Sequence, residues 1–232
     1  MTTRSTVVLV PGMLNDDDLW RDQVVALKDC HDVLIADITG SDRLDVLART
    51  VLDQAPERFS LAGFSLGGYV AQEIVRMASG RVQRLALLDT SCRSETPERR
   101  QRRRDMDQMA RLPGRFHGFG DGMVRRYLGS AHADDPVLTL RVRAMTERLG
   151  AEVFLRQNAI ERLDGEDVIR GFEGPLLVLC GQEDVVTSPE EHREMAAMAQ
   201  DSELVVLGGC GHLTPLEAPD DVSTALLRWM AC

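Results

Sequence analysis

Short unbroken apolar runs alternate along the chain with stretches in which apolar positions recur at helical spacing. Ser5–Val10 (STVVLV) is Val-rich and ends at Pro11-Gly12, as a strand buried on both faces does. Asp16–Lys28 follows as a helix, opened by acids that suit a positive N-terminus. The alternation repeats as strand Val33–Ala36 and helix Leu44–Leu52. Phe59–Ala62 then leads into Gly63, and Ser65–Ala78 is helical with Gly80 as its stop. Leu85–Leu88 is again a strand and ends in Asp89. The rhythm then breaks. From Ser91 to Arg170 there is no Val/Ile-rich run, only Arg-rich helical stretches separated by Pro113-Gly114, Gly118, Gly120 and Gly122. Strands return at Pro175–Cys180 and Leu204–Leu207, each followed by a helix, Pro189–Ala199 and Pro215–Met230.

Repeated strand–helix alternation predicts an α/β fold with a mostly parallel sheet covered by helices on both faces. Residues 1–90 and 171–232 form the expected core, and 91–170 a helical insertion. Ligands of open α/β sheets sit at the carboxyl ends of the strands, so an insertion over that edge is a candidate lid.

Composition narrows the class. The 232 residues suit one domain with a modest insertion. A hydrophobic content of 44% with 28% charged residues describes a globular chain rather than a disordered one. No apolar stretch reaches the roughly 18 residues of a membrane span. The first ten residues are too short for a secretory apolar region and lack a small-residue cleavage site, so the expected compartment is the cytoplasm. The five cysteines (Cys30, Cys92, Cys180, Cys210, Cys232) are scattered without a CxxC pair. They read as free thiols, not as disulfides or a zinc site. The net charge of −10 argues against nucleic acid. Charge is uneven, however. Residues 91–170 hold 16 Arg and no Lys against 13 acids, while the rest carries 11 basic and 24 acidic residues. A cationic middle segment favours anionic substrates, although solvated helix faces account for it equally well. Arg99–Arg104 reads first as such a face, with a substrate carboxylate or a carrier protein as the other reading.

The chemistry concentrates at Gly63-Phe64-Ser65-Leu66-Gly67-Gly68, between a predicted strand and helix. A serine hydroxyl must be presented to a base before it attacks anything. A sharp strand-to-helix turn lifts Oγ above the sheet edge and crowds its flanks, so Gly63 and Gly67 are the small residues such a turn needs. The Leu66 N–H then points at an oxygen on the attacked carbon. Gly209-Cys210-Gly211-His212 follows the last strand and brings an imidazole to the same edge. His31, His117, His132 and His192 have no comparable setting and read as surface or packing residues, with a pocket-lining place beneath the lid as the lesser reading for His117. The acid that orients His212 is expected just beyond a strand end. Asp184 lies there, with Asp89 as its rival and Glu183 as a solvated neighbour. Pro11-Gly12-Met13-Leu14 follows the first strand, and Met13 supplies the second oxyanion N–H.

Val10-Pro11-Gly12-Met13, Gly63 to Gly68, Leu88-Asp89-Thr90, Gly181 to Asp184 and Gly211-His212 together resemble the α/β-hydrolase superfamily. The likeness is greatest to small bacterial serine esterases of the pimeloyl-carrier-protein methyl ester type. It spans both flanks of the insertion but not the insertion itself. It implies the order Ser65, Asp184, His212 for nucleophile, acid and base, with Met13 and Leu66 as backbone oxyanion donors. Two features depart from the family. Pro11 stands where His is usual, and Met1–Thr6 leaves little room for the two further strands with which members commonly begin. Serine at the elbow, in place of aspartate, argues against the haloalkane dehalogenases and epoxide hydrolases of the superfamily.

The expected activity is cleavage of a small carboxylic ester through an acyl-enzyme on Ser65, with no metal or organic cofactor required. No nucleic acid or membrane partner is implied, and a carrier protein is the one macromolecular partner weighed. The same residues serve thioester hydrolysis, lactone opening, perhydrolysis and C–C cleavage or elimination in other members, and fold alone does not choose among them. A binder that kept the pocket without catalysis is the alternative of another class. An intact Ser, Asp and His disfavour it.

Overall fold

The computed structural model describes residues 4–112 and 116–231. The expected break at Pro113-Gly114 and the thiol of Cys232 lie outside them. Six strands form one sheet: β1 (Thr6–Val10), β2 (Asp32–Ile35), β3 (Phe59–Phe64), β4 (Val82–Leu88), β5 (Leu176–Gly181) and β6 (Ser202–Leu207). Their order is β2-β1-β3-β4-β5-β6 and every pairing is parallel. The chain winds outward from β1 to β2, then returns to build the other side from β3. The topological switch therefore falls between β1 and β3, where open α/β sheets form their crevice.

The unbroken apolar runs are explained by the two-residue period of a strand. Val8 and Val10 enter one core while Val7 and Leu9 enter the other. Leu85 and Leu87 likewise oppose Ala86 and Leu88, and Leu176 and Val178 oppose Leu177 and Leu179. The first core is closed by α2 (Leu44–Gln54), α3 (Leu66–Ala78) and α8 (Pro189–Met198), through Leu47, Ile74 and Met195 among others. The second is closed by α1 (Arg21–Leu27) and α10 (Pro219–Met230), through Leu27, Leu226 and Trp229.

Among the described residues, the elements between β4 and β5 are all helices: α4 (Pro97–Ala110), α5 (Asp121–Tyr127), α6 (Pro136–Ala159) and α7 (Glu166–Gly171). They are not an appendage. Val124 of α5 and Val142, Met145 and Phe154 of α6 belong to the second core. Arg141 and Arg148 of α6 form ion pairs with Asp16, Asp18 and Asp22 beside the loop after β1. Gln157 accepts from the Leu14 N–H at 2.7 Å and donates to the Ile38 carbonyl at 3.2 Å.

Three elements differ from the sequence reading. The helix expected from Asp16 opens as a 3-10 turn (Asp17–Trp20) capped by Asp16, and becomes α-helical only at Arg21. Gly150 interrupts α6 with φ 73° and ψ −175°. The closing helix is split into α9 (Thr214–Glu217) and α10, because Pro219 pushes Ala218 out of the helical region to φ −133° and ψ 62°.

Candidate active site

Ser65 stands between β3 and α3 with φ 50° and ψ −114°, a conformation that costs a non-glycine residue about 1–3 kcal/mol. Its neighbours hold it there. The Ser65 N–H donates to the Leu88 carbonyl at 3.0 Å, and the Ser65 carbonyl accepts from Thr90 Oγ1 at 2.7 Å and from the Gly68 N–H at 2.9 Å. The crowding expected at the flanks is present. A Cβ on Gly63 would meet the Gly67 carbonyl at 2.5 Å, and one on Gly67 would collide with the carbonyls of Val10 and Pro11.

Ser65 Oγ lies 2.9 Å from His212 Nε2, and His212 Nδ1 lies 2.8 Å from Asp184 Oδ2. With Nδ1–H donating to the carboxylate, Nε2 is left to accept from the serine hydroxyl. Asp184 is 4% exposed and follows β5. It also accepts from the Val186 and Thr187 N–H groups and from Thr187 Oγ1. Burial pushes its carboxyl upward. The His212 charge and these hydrogen bonds outweigh burial and hold Asp184 below the usual carboxylate range.

Asp89 is not brought to the imidazole. Wholly buried with φ 47°, it accepts from the Gly181 N–H at 3.1 Å and from Thr214 Oγ1. Burial, with the Asp184 charge added, raises its carboxyl well above the usual range. Glu183 bonds Ser130 at the surface. Cys210 is buried, and burial together with Glu217 pushes its thiol up to about 12, so it supplies no thiolate beside His212. The other described cysteines are free. His192 packs rather than reacts: its Nε2 accepts from the Thr90 N–H at 3.0 Å and its Nδ1 donates to the Ser188 carbonyl at 2.9 Å. His31 pairs with Ser5 Oγ. His117 is exposed and is not among the described residues that line the cavity, in keeping with its reading as a surface residue.

That cavity, of about 360 Å³, opens above Ser65 and is lined by Met13, Leu66 and His212 as well. As the first residue of α3, Leu66 has no carbonyl one turn back to take its N–H. The neighbouring N–H groups of Leu14 and Asn15 are given to Gln157 and to the Gly12 carbonyl, whereas the Met13 N–H, at the cavity, has no protein acceptor among the described residues.

Two supports of the His212 loop were missed in the sequence. Glu217 is 5% exposed and accepts from the N–H groups of Gly129, Gly211 and Leu213 at 2.6–3.1 Å. The Tyr127 carbonyl accepts from the His212 N–H at 2.6 Å. Both clamp the His212 loop to the end of α5, and no local motif announces either. Arg99 and Arg103, read as a solvated face, are partly buried in the cavity wall instead. Every third or fourth residue of α4 points inward (Arg99, Arg103, Met106, Ala110), a signal masked by the Arg run.

Among the described residues no three His, Cys, Asp or Glu side chains gather as a metal-binding group, and no helix is long and apolar enough to cross a membrane.

The fold and this row define a doubly wound α/β protein with a serine, a histidine and an aspartate hydrogen-bonded at the carboxyl edge of its sheet. Residues 7–225 match the model of the Alpha/beta hydrolase family, and the chain belongs to that family. It is accordingly an enzyme of the hydrolase class. A similar curated protein is the pimeloyl-[acyl-carrier protein] methyl ester esterase of Nitrosomonas europaea, 24% identical over 92% of this chain and 91% of that protein. Among solved structures, a malate-bound thermophilic esterase from Thermogutta terrifontis is 29% identical. It has a TM-score of 0.86 and a match covering 99% of this chain and 90% of that one. The enol-lactonase of Burkholderia xenovorans LB400 shares the fold at 22% identity, with TM-score 0.86 and 99% and 92% coverage.

Proposed function

We propose that the chain is a serine-dependent carboxylic ester hydrolase working through an acyl-enzyme on Ser65. The observation that carries this reading is the hydrogen-bonded row from Ser65 Oγ through His212 to Asp184, open to one cavity. His212 Nε2 takes the hydroxyl proton as Ser65 Oγ attacks the ester carbonyl. The resulting oxyanion accepts from the Met13 and Leu66 N–H groups, each such donor supplying on the order of 3 kcal/mol in the transition state. Asp184 keeps the proton of His212 on Nδ1 and stabilises the imidazolium. Collapse expels the alcohol, which receives the proton from His212. Water, activated by the same imidazole, then attacks the acyl carbonyl and restores Ser65. Residues 91–170 act as the lid over this cavity, with α4 and α5 supplying its upper wall.

The esterase names among the relatives support an ester rather than a C–C bond, and the carrier-linked methyl ester in one of them makes simple methyl esters worth assaying. The test is turnover of p-nitrophenyl acetate and butyrate together with labelling by a fluorophosphonate probe. Wild type is expected to turn over both and to label at Ser65. Ser65→Ala and His212→Ala are each expected to lower kcat/KM by about 10³–10⁶-fold. Wild type that neither labels nor hydrolyses any ester would favour the non-catalytic binder.

A further inference from the structure

The cavity above Ser65 carries more positive charge than hydrolysis of a neutral ester requires. Five arginines, Arg99, Arg102, Arg103, Arg126 and Arg162, line it, and Glu95 is the one carboxylate among its described lining residues. Arg99 is neutralised from outside: its guanidinium donates to both oxygens of Glu191 at 2.8 Å. Arg103 and Arg162 are different. Arg103 Nε lies 2.6 Å from Glu95 Oε1, and Arg162 Nε lies 4.0 Å from the same oxygen. All three side chains are largely buried, with 18%, 8% and 10% exposure for Arg103, Arg162 and Glu95. Arg162 finds its remaining acceptors in neutral carbonyls, those of Gln157 and Ile160.

Two buried guanidiniums thus share one carboxylate, and one positive charge in the wall has no counter-charge. A buried charge without a partner is among the costlier features a fold retains. The protein shows the strain, since burial and the Arg103 charge push the Arg162 guanidinium down to about 10. Tyr69 does not relieve it. One turn beyond Ser65 on α3, Tyr69 lies within the electrostatic reach of Arg162 and Arg99, but burial pushes its phenol up to about 12, so it stays neutral. At the open rim, Arg102 and Arg126 form no ion pair among the described residues and add attraction for an entering anion.

We infer that the ester turned over here carries a carboxylate of its own, seated against Arg162 and Arg103 beside Tyr69 while its reacting carbonyl lies at Ser65. The inference rests on the ester-hydrolase reading and names its substrate class, monoesters of short dicarboxylic acids. The single uncompensated charge of the buried Arg103, Arg162 and Glu95 cluster matches a monoanion, and guanidinium offers a carboxylate two parallel donors. One helical turn separates Ser65 from Tyr69, a rise of about 6 Å over four residues, which a short diacid spans. Binding the carboxylate also fixes the carbonyl at the serine, so the charge contributes to orientation as well as affinity.

The experiment compares monomethyl glutarate with dimethyl glutarate, which differ by one charge and one methyl group. With wild type at low salt, kcat/KM is expected to be at least tenfold higher for the monoester, and raising NaCl to half-molar is expected to shrink that ratio. Arg162→Met and Arg103→Met should each bring the ratio to about one or below. Glu95→Gln should move it the opposite way, lowering KM for the monoester several-fold. A structural lesion lowers both substrates together and leaves the ratio alone, so the opposed shifts identify charge as the cause. Equal or better turnover of dimethyl glutarate by wild type overturns the carboxylate seat and leaves the hydrolase intact. If wild type hydrolyses neither glutarate ester but turns over p-nitrophenyl acetate, the substrate class fails and the hydrolase reading stands; if it turns over no ester and takes no fluorophosphonate label, the hydrolase reading itself fails. Calorimetry on Ser65→Ala then decides the seat independently: binding of the monoester but not the diester upholds it, and equal binding or none removes it.

Discussion

Two buried aspartates lie near the imidazole, and only one touches it, so their substitution separates catalysis from stability. Asp184→Asn removes the charge facing His212 and disturbs its tautomer, and is expected to lower kcat/KM by about 10³–10⁴-fold, somewhat less than loss of the serine or histidine. Asp89→Asn is expected to be the milder change by at least tenfold, and a larger loss from a well-folded Asp89→Asn would reassign the acid. Asp89 also has a pH signature. Its folded carboxyl titrates well above the usual value, so the native state holds a proton that the unfolded chain has already released. Stability from this group is full below about pH 4 and declines as pH rises toward the raised folded value. The melting temperature of Asp89→Asn, measured against wild type, should gain progressively from pH 4 to 7. A constant difference across that range would remove Asp89 as the source. Glu217 holds the His212 loop through its backbone. In Glu217→Gln an amide NH₂ must face N–H groups that now meet a carboxylate oxygen, leaving a buried donor unsatisfied at about 1–3 kcal/mol. A drop in stability of that size is expected, with kcat/KM falling further than KM rises. Ser65, His212 and Asp184 were legible in the sequence because each sits in a local turn whose chemistry is written in adjacent glycines and strand ends. Glu217 was not, since one of its partners is Gly129, 88 residues earlier, and nothing local encodes that meeting.

Legibility of the elements follows the same division. Strands buried on both faces declare themselves as apolar runs, and β1, β3, β4 and β5 fall within a few residues of their expected places. The helices between β4 and β5 were legible as helices, but their shape was not. Gly150 sits inside a stretch of helical periodicity, and only the structure shows that α6 turns there so that Phe154 enters the core and Gln157 reaches Leu14. The backbone at Gly150 occupies a region essentially closed to other residues, while a Cβ built on it meets nothing within 4 Å. Gly150→Ala is therefore a pure test of backbone strain. It is expected to destabilise by about 1–3 kcal/mol in urea unfolding. An unchanged midpoint would mean that α6 passes this point as a continuous helix.

At the scale of the whole molecule, the question is whether residues 91–170 form a separable lid or part of one folding unit. Their apolar side chains answer in favour of one unit. Val124, Val142, Met145 and Phe154 share a core with the inner strands and with Trp20 and Trp229. The ion pairs of Arg141 and Arg148 and the bonds of Gln157 tie α6 to the loops after β1 and β2. Removing these helices would expose the part of the second core that they share with α1, α10 and the strands, so their unfolding and that of the sheet are coupled. Trp20 and Trp229 report on the sheet side, whereas helical circular dichroism is weighted by α4 and α6, the two longest helices. Urea transitions followed by the two signals are expected to coincide, with a single midpoint. A loss of helical signal preceding the change in tryptophan emission would make the segment an independent cover, held to the sheet by contacts weaker than those within it.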